Sequence, residues 1–191
     1  MNHYLPIESI LHSASDETHS AMLNIEKNIA LKNWIDTVCV WRETLSSRTE
    51  QTWALFHNDN YEFSAILFAL WSLDKTVCLP SNKQPALIAD VAKDVDGFIG
   101  EFDHTDTLIT SIVIKKTSTQ KVLITKPLPQ LNTSKPLLQI YTSGSSGKPE
   151  KIYKTLTQLS NEINTLHQLW GQESKNTQIL STVSHQHIYE L

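Results

Sequence analysis

The spacing of apolar residues changes period several times along this chain, and each change predicts an element. Trp34, Val38, Trp41 and Leu45 recur at intervals of four, three and four, which places them on one face of a helix ending near Ser46 or Ser47. A stripe with two tryptophans could face a partner, but it more commonly supplies buried core area. Residues 1–50 therefore read as a mainly helical lead-in. Thr52-Trp-Ala-Leu-Phe-His57 is an apolar run of strand length, punctuated by Asn58-Asp59. Asp59-x-x-Glu62 has the form of a capping box, and Phe63, Ile66, Leu67 and Leu70 follow at i, i+3, i+4 and i+7. That pattern predicts an amphipathic helix packed on a sheet. Thr76-Val-Cys-Leu79 is a short apolar strand stopped by Pro80, and Pro85 suits the first turn of a helix through Leu87, Ile88, Val91 and Ala92. Asp96-Gly97 then turns into Phe98-Ile99. Over residues 51–100 the alternation describes a βαβαβ unit, hence a parallel sheet with helices on its faces.

After residue 100 the pattern loosens. Ser111-Ile-Val-Ile-Lys115 and Lys121-Val-Leu-Ile-Thr125 flank the polar Lys116–Gln120, predicting two short strands and a turn. Pro127, Pro129 and Pro136 mark a loop-like approach to the apolar Leu138–Tyr141. Lys151-Ile-Tyr-Lys154 reads as a strand, and Thr155-x-x-Gln158 as a second capping box. Leu156, Leu159, Ile163, Leu166 and Trp170 continue at helical spacing, with Gly171 as a C-terminal cap. Thr177–Val183 closes the series as a strand. The fold class is α/β, a parallel sheet flanked by helices.

Composition narrows the functions available. A chain of 191 residues can bury a sizeable core, and a net charge of −4 leaves no basic footprint for nucleic acid. Cys39 and Cys78 lie in apolar stretches, as buried free thiols do. No run is long enough to span a membrane, and Met1–Glu8 lacks the pattern of a signal peptide, so the expected compartment is the cytoplasm.

The chemistry concentrates in Tyr141-Thr-Ser-Gly-Ser-Ser-Gly-Lys-Pro149, where an apolar strand enters a loop of hydroxyls, glycines and one lysine. Gly144 and Gly147 let backbone N–H groups approach an anion closely, Thr142, Ser143, Ser145 and Ser146 add hydroxyl donors, and Lys148 adds a positive charge. A flexible surface turn would have similar residues. The entering strand, the stiffening Pro149 and the scarcity of glycine elsewhere, two of only five lying here, favour a polyphosphate-holding loop. The spacing is neither a Walker A loop nor GxGxxG, and the serines do not form a GxSxG elbow.

This segment resembles the TSG(S/T)(S/T)GxPK loop of the adenylate-forming superfamily, which includes acyl-CoA synthetases, luciferases and the adenylation domains of peptide synthetases. Ser184-His-Gln-His-Ile-Tyr189 resembles the family's next motif, and residues 61–80 its early helix–strand unit. The resemblance is nearest to acyl-CoA synthetase-like members. It implies that residues 142–148 grip the β- and γ-phosphates of ATP, brought with Mg2+, while a small-molecule carboxylic acid attacks the α-phosphate. It implies further that His187 borders the acyl pocket and that the acceptor is CoA or a carrier-protein thiol. The proline-rich approach is then an internal connection. Residues 137–191 carry the phosphate-loop strand, a helix and a following strand of an N-terminal portion spanning 1–191, with the adenine and ribose motifs, the catalytic lysine and the C-terminal domain absent.

Two positions depart from the family. Glu150 stands where a lysine usually follows the loop proline, and its charge repels a triphosphate. Lys148, Lys151 and Lys154 are the candidates to compensate. Glu190 replaces a usual glycine. His185-x-His187 could share a metal ion from one face of a strand, but no cysteine or acid follows at metal spacing. The function expected is that of the N-terminal part of an AMP-forming acyl-adenylate ligase; the alternative is a catalytically silent nucleotide-binding or interaction module.

Overall fold

The computed structural model describes residues 6–12, 20–24, 27–102, 128–142, 150–171 and His185. A short 3-10 helix, Ile7–His12, comes first, followed by strands β1 (Ser20–Asn24) and β2 (Lys27–Ala30) and helix α1 (Leu31–Ser46). Then come β3 (Thr52–Phe56), α2 (Asn60–Trp71), β4 (Thr76–Leu79), α3 (Pro85–Val91) and β5 (Gly97–Gly100). Strands β6 (Leu138–Thr142) and β7 (Glu150–Lys154) and helix α4 (Leu156–Trp170) complete the described elements.

The main sheet has the order β5-β3-β4-β6-β7. Its first four strands are mutually parallel, and β7 runs antiparallel to β6 at the edge. Because β4 sits on one side of β3 and β5 on the other, the two right-handed crossovers leave on opposite faces of the sheet. Alternation along the strands confirms this. Trp53, Leu55, Val77, Leu79, Ile99, Leu138 and Ile140 join the large core with α1 and α2, whereas Ala54, Cys78, Phe98 and Tyr141 pack with Ile88 and Val91 of α3.

The predicted βαβαβ unit over 51–100 is present, as is the capping role of Asp59, whose side chain accepts from the Glu62 amide at 2.9 Å. Helix α2 differs from the amphipathic expectation. Phe63 and every residue from Ala65 to Trp71 are buried, because α1 covers the side of α2 turned away from the sheet. The tryptophans that looked like core residues are core, and each indole N–H is satisfied: Trp34 donates to Ser64, Trp41 to Glu62, Trp53 to the Glu50 carbonyl and Trp71 to the Leu137 carbonyl.

Two further expectations need correction. Where a helical lead-in was expected over 1–50, the described residues before α1 include two strands, with β1 and β2 paired antiparallel from Asn24↔Lys27 to Ser20↔Ala30. The two residues between the paired ends, Ile25 and Glu26, lack the glycine or asparagine that announces a hairpin. Gly171 is the C-terminal cap of α4 as expected, in a right-handed conformation with φ −62°. Its N–H reaches the His167 carbonyl at 2.8 Å. On α4, only Leu156 and Leu159 of the predicted stripe are buried; Ile163 and Leu166 are 40% and 49% exposed, and Trp170 56%. The capping box at its start is complete, with Thr155 and Gln158 satisfying each other's backbone N–H. The strands expected at 111–115, 121–125 and 177–183 lie outside the described residues.

Candidate functional site

In an open parallel sheet, ligands bind at the carboxyl ends of the strands, where the loops gather. Here β3 ends at Phe56, β4 at Leu79, β5 at Gly100 and β6 at Thr142, all at one edge. Thr142, the first residue of the expected phosphate loop, is thus delivered to that edge by β6. It lies in register with Glu150, the first residue of β7. Ser143, Gly144, Ser145, Ser146, Gly147 and Lys148 lie outside the described residues, and so does His187. His185 sits in a turn, half-buried, its ring 5.7 Å from that of Phe63.

The strands on either side of this loop are tied together from below. Tyr141 and Lys151 are directly paired across β6 and β7, and both engage Asp94, which follows α3. The Tyr141 hydroxyl donates to Asp94 Oδ2, and Lys151 Nζ lies 2.6 Å from the same oxygen. The Lys151 ammonium also sits 6.0 Å from the centre of the Tyr141 ring. The ammonium bond from Lys151, joined by the Tyr141 hydroxyl, holds the Asp94 carboxyl below its ordinary value. Burial, together with the hydrogen bond to the carboxylate, pushes the Tyr141 phenol up. Beside this cluster Gln139 is buried on the same face, with its amide nitrogen unpartnered.

This answers the question raised by Glu150. Of the nearby lysines offered as replacements for the missing family lysine, Lys151 is paired with Asp94 and Lys154 with Glu162. Neither extends toward the loop as a free cation. Lys148 is the remaining lysine of the segment.

Sequence reasoning missed a second group at the same edge. His57 Nδ1 is 3.5 Å from Glu101, Asn58 donates to the same carboxylate, and the Asp59 N–H points to His57 Nδ1 at 3.1 Å. Lys83 lies 5.2 Å from the Phe56 ring centre, and Phe102 packs edge-on against Phe98 and Phe56. Nothing local in the sequence joins residues 57–58 to Glu101; only the parallel pairing of β3 with β5 does so. Among the described residues no group of three or more His, Cys, Asp or Glu side chains could hold a metal ion. No helix among them is long and apolar enough to cross a membrane.

No family model and no curated protein matches this sequence. Its fold is that of the N-terminal subdomain of adenylate-forming enzymes. Three solved structures illustrate the likeness. The N-terminal subdomain of NpsA from Klebsiella oxytoca superposes with a TM-score of 0.62 at 16% identity, over 81% of this chain and 43% of that one. The o-succinylbenzoate CoA synthetase MenE from Bacillus subtilis, in complex with the acyl-adenylate intermediate OSB-AMP, gives 0.67 at 14% identity, over 87% and 47%. The nonribosomal peptide synthetase FmoA3, in its AMPPNP-bound form, gives 0.65 at 11% identity, over 87% and 19%. The chain therefore spans less than half the length of each of these neighbours.

Proposed function

We propose that this chain is the N-terminal part of an AMP-forming acyl-adenylate ligase of the acyl-CoA synthetase type, and that residues 142–148 form its ATP phosphate loop. The observation that supports the reading is that β6 ends at Thr142, the first residue of that hydroxyl- and glycine-rich segment, at the carboxyl edge of a sheet with the adenylate-forming fold. In the reaction, a carboxylate oxygen of the substrate attacks the α-phosphorus of ATP and pyrophosphate leaves, giving an acyl-AMP. A thiol, from CoA or a carrier protein, then displaces AMP to give the thioester.

The protein's part in the first step is positioning and charge stabilisation. Backbone N–H groups and the hydroxyls of Thr142, Ser143, Ser145 and Ser146 would hold the β- and γ-phosphates, with Lys148 as the cation. Magnesium would arrive with ATP and be bound chiefly by phosphate oxygens and water. His187 would border the acyl pocket. Two comparisons support the substrate class, because NpsA was solved with 3-hydroxyanthranilyl-AMSN and MenE with an acyl-adenylate.

Pyrophosphate release from ATP, measured with fatty, aryl and amino acids on this chain and on any longer in-frame product, tests the reading. Acid-dependent release by the longer product, lost in Lys148→Ala, is the expected result. Saturable ATP binding without release in either would favour the alternative, a silent nucleotide-binding module. Absence of ATP binding in both would refute the phosphate-loop assignment.

A further inference from the structure

We propose that Asp94 is a positioning residue for the phosphate loop, clamping the strand that enters the loop to the strand that leaves it. This rests on the phosphate-loop reading above, but the clamp itself is built from described residues. Asp94 lies just past α3, on the face of the sheet opposite the large core, and a single carboxylate oxygen receives both the Tyr141 hydroxyl and the Lys151 ammonium.

Three observations distinguish this arrangement from an incidental surface ion pair. Tyr141 and Lys151 are register partners on adjacent strands, so one carboxylate fixes their separation at the last rungs before the loop, beside the Thr142↔Glu150 pair. Tyr141 is buried and Asp94 26% exposed, so the Tyr141 bond loses less to solvent than an exposed one does, while Lys151, 38% exposed, closes the clamp from the solvent side. The carboxylate also reaches β7 from the β4–β5 crossover, and neither β4 nor β5 pairs with β7. The edge strand β7 is held in the sheet by its ladder with β6 alone, and loops that bind anions must hold several amides in one geometry. A third element fastened to both stems supplies that definition.

The clamp also accounts for the disposition of charge. An ammonium directly after Glu150 could serve the triphosphate or the scaffold, and Asp94 commits Lys151 to the scaffold. Asp94 thereby acts through Tyr141 and Lys151, with no contact to nucleotide required of it.

The test compares wild type with Asp94→Asn, Tyr141→Phe and Lys151→Met, using Lys151→Arg as the conservative variant. Two readouts are taken on each protein: amide hydrogen exchange resolved to peptides, and the Kd for Mg-ATP by titration calorimetry. The clamp predicts exchange about tenfold faster in the peptide spanning 143–149 in Asp94→Asn and Lys151→Met, an effect of the size expected for coupled contacts. Peptides from β3 and β4 should stay unchanged, and Lys151→Arg should stay near wild type. Tyr141→Phe should show a smaller effect in the same peptide, and it preserves the fold should Asp94→Asn unfold.

Unchanged exchange at 143–149, or equal acceleration throughout the sheet, would overturn the proposal. If wild type binds Mg-ATP, a matching rise in Kd supports the clamp as a device for that site. If wild type does not bind Mg-ATP but the selective exchange effect persists, the clamp stands and the nucleotide reading falls.

Discussion

Gly100 ends β5 at the carboxyl edge of the sheet, and replacing it with alanine should be among the most damaging single-methyl additions in the chain. Its φ is +108°, a conformation that L side chains rarely adopt. A Cβ placed there would lie 2.0 Å from the Phe56 carbonyl oxygen and 3.0 Å from its carbon, which are backbone atoms of the neighbouring strand and cannot rotate away. Relief therefore requires β3 and β5 to separate at their ends, where the Glu101 N–H donates to that same carbonyl at 2.7 Å. The backbone strain costs about 1–3 kcal/mol, and a lost hydrogen bond about 1 kcal/mol. The sum, roughly 2–4 kcal/mol, corresponds to a fall in Tm of roughly 5–15 °C for a domain of this size. Urea titration followed by tryptophan fluorescence, with differential scanning calorimetry alongside, measures both quantities. Glu101→Ala is the control, since it removes a half-exposed carboxylate and leaves the backbone alone, and it should cost under about 1 kcal/mol. A Gly100→Ala protein within about 0.5 kcal/mol of wild type, the range of ordinary surface substitutions, would refute the account of this edge.

Further expectations concern the thiols, the carboxylate clamp and the exposed helix face. Cys78 is fully buried and its thiol is pushed up to about 12, first by burial and then by Asp94; burial also raises Cys39. Neither should react with a disulfide reagent at pH 8 until the chain is denatured, and rapid native labelling of Cys78 would contradict its place behind α3. The Asp94 carboxyl is depressed by the Lys151 bond and then by Tyr141, with Lys93 adding a smaller effect against the cost of burial. Its contribution is therefore complete above the ordinary carboxylate value and is lost as pH falls through the lower folded value. Stability measured from about pH 6 to pH 2 should decline less steeply in Asp94→Asn than in wild type, and parallel curves would show that Asp94 is not linked to folding. Ile163, Leu166, Leu169 and Trp170 of α4 are exposed, as is Tyr153 of β7. The isolated chain should associate through this apolar surface, and Leu166→Lys with Leu169→Lys should shift it toward monomer in analytical ultracentrifugation; a wild-type monomer at high concentration would refute that.

The elements that the sequence disclosed are those whose signals are local. Asp59 and Thr155 cap helices because a side-chain oxygen three residues before an amide can reach it, and both were legible as short motifs. The parallel strands were legible because their runs are apolar on both faces, as a doubly covered sheet requires. The hairpin of β1 and β2 was not, since its connecting pair carries no turn signal. The burial of α2 from Ala65 to Trp71 was not either, since it depends on α1 packing over the far side, where Ser64 receives the Trp34 indole and Tyr61 donates to the Asn33 carbonyl. At the site, the loop segment stood out by composition, whereas the Asp94 bonds span 47 residues in the case of Tyr141 and have no local trace. The same is true of His57, Asn58 and Glu101.

The distribution of charge around the phosphate-loop segment limits how it could work. Its composition offers Lys148, Lys151 and Lys154 against Glu150, an apparent surplus of positive charge. The fold removes most of that surplus, because Asp94 and Glu162 take up Lys151 and Lys154. Counting the pairs as neutral leaves one lysine against one glutamate. Attraction for a triphosphate would then have to come mainly from oriented N–H groups and hydroxyls, which act at short range and demand a fixed loop geometry, unlike a mobile ammonium, which acts over a distance and tolerates looseness. A loop that depends on geometry more than on net charge needs its stems held firmly. That need is what makes a carboxylate bound to both stems, at the rung next to the Thr142↔Glu150 pair, mechanistically significant in this chain.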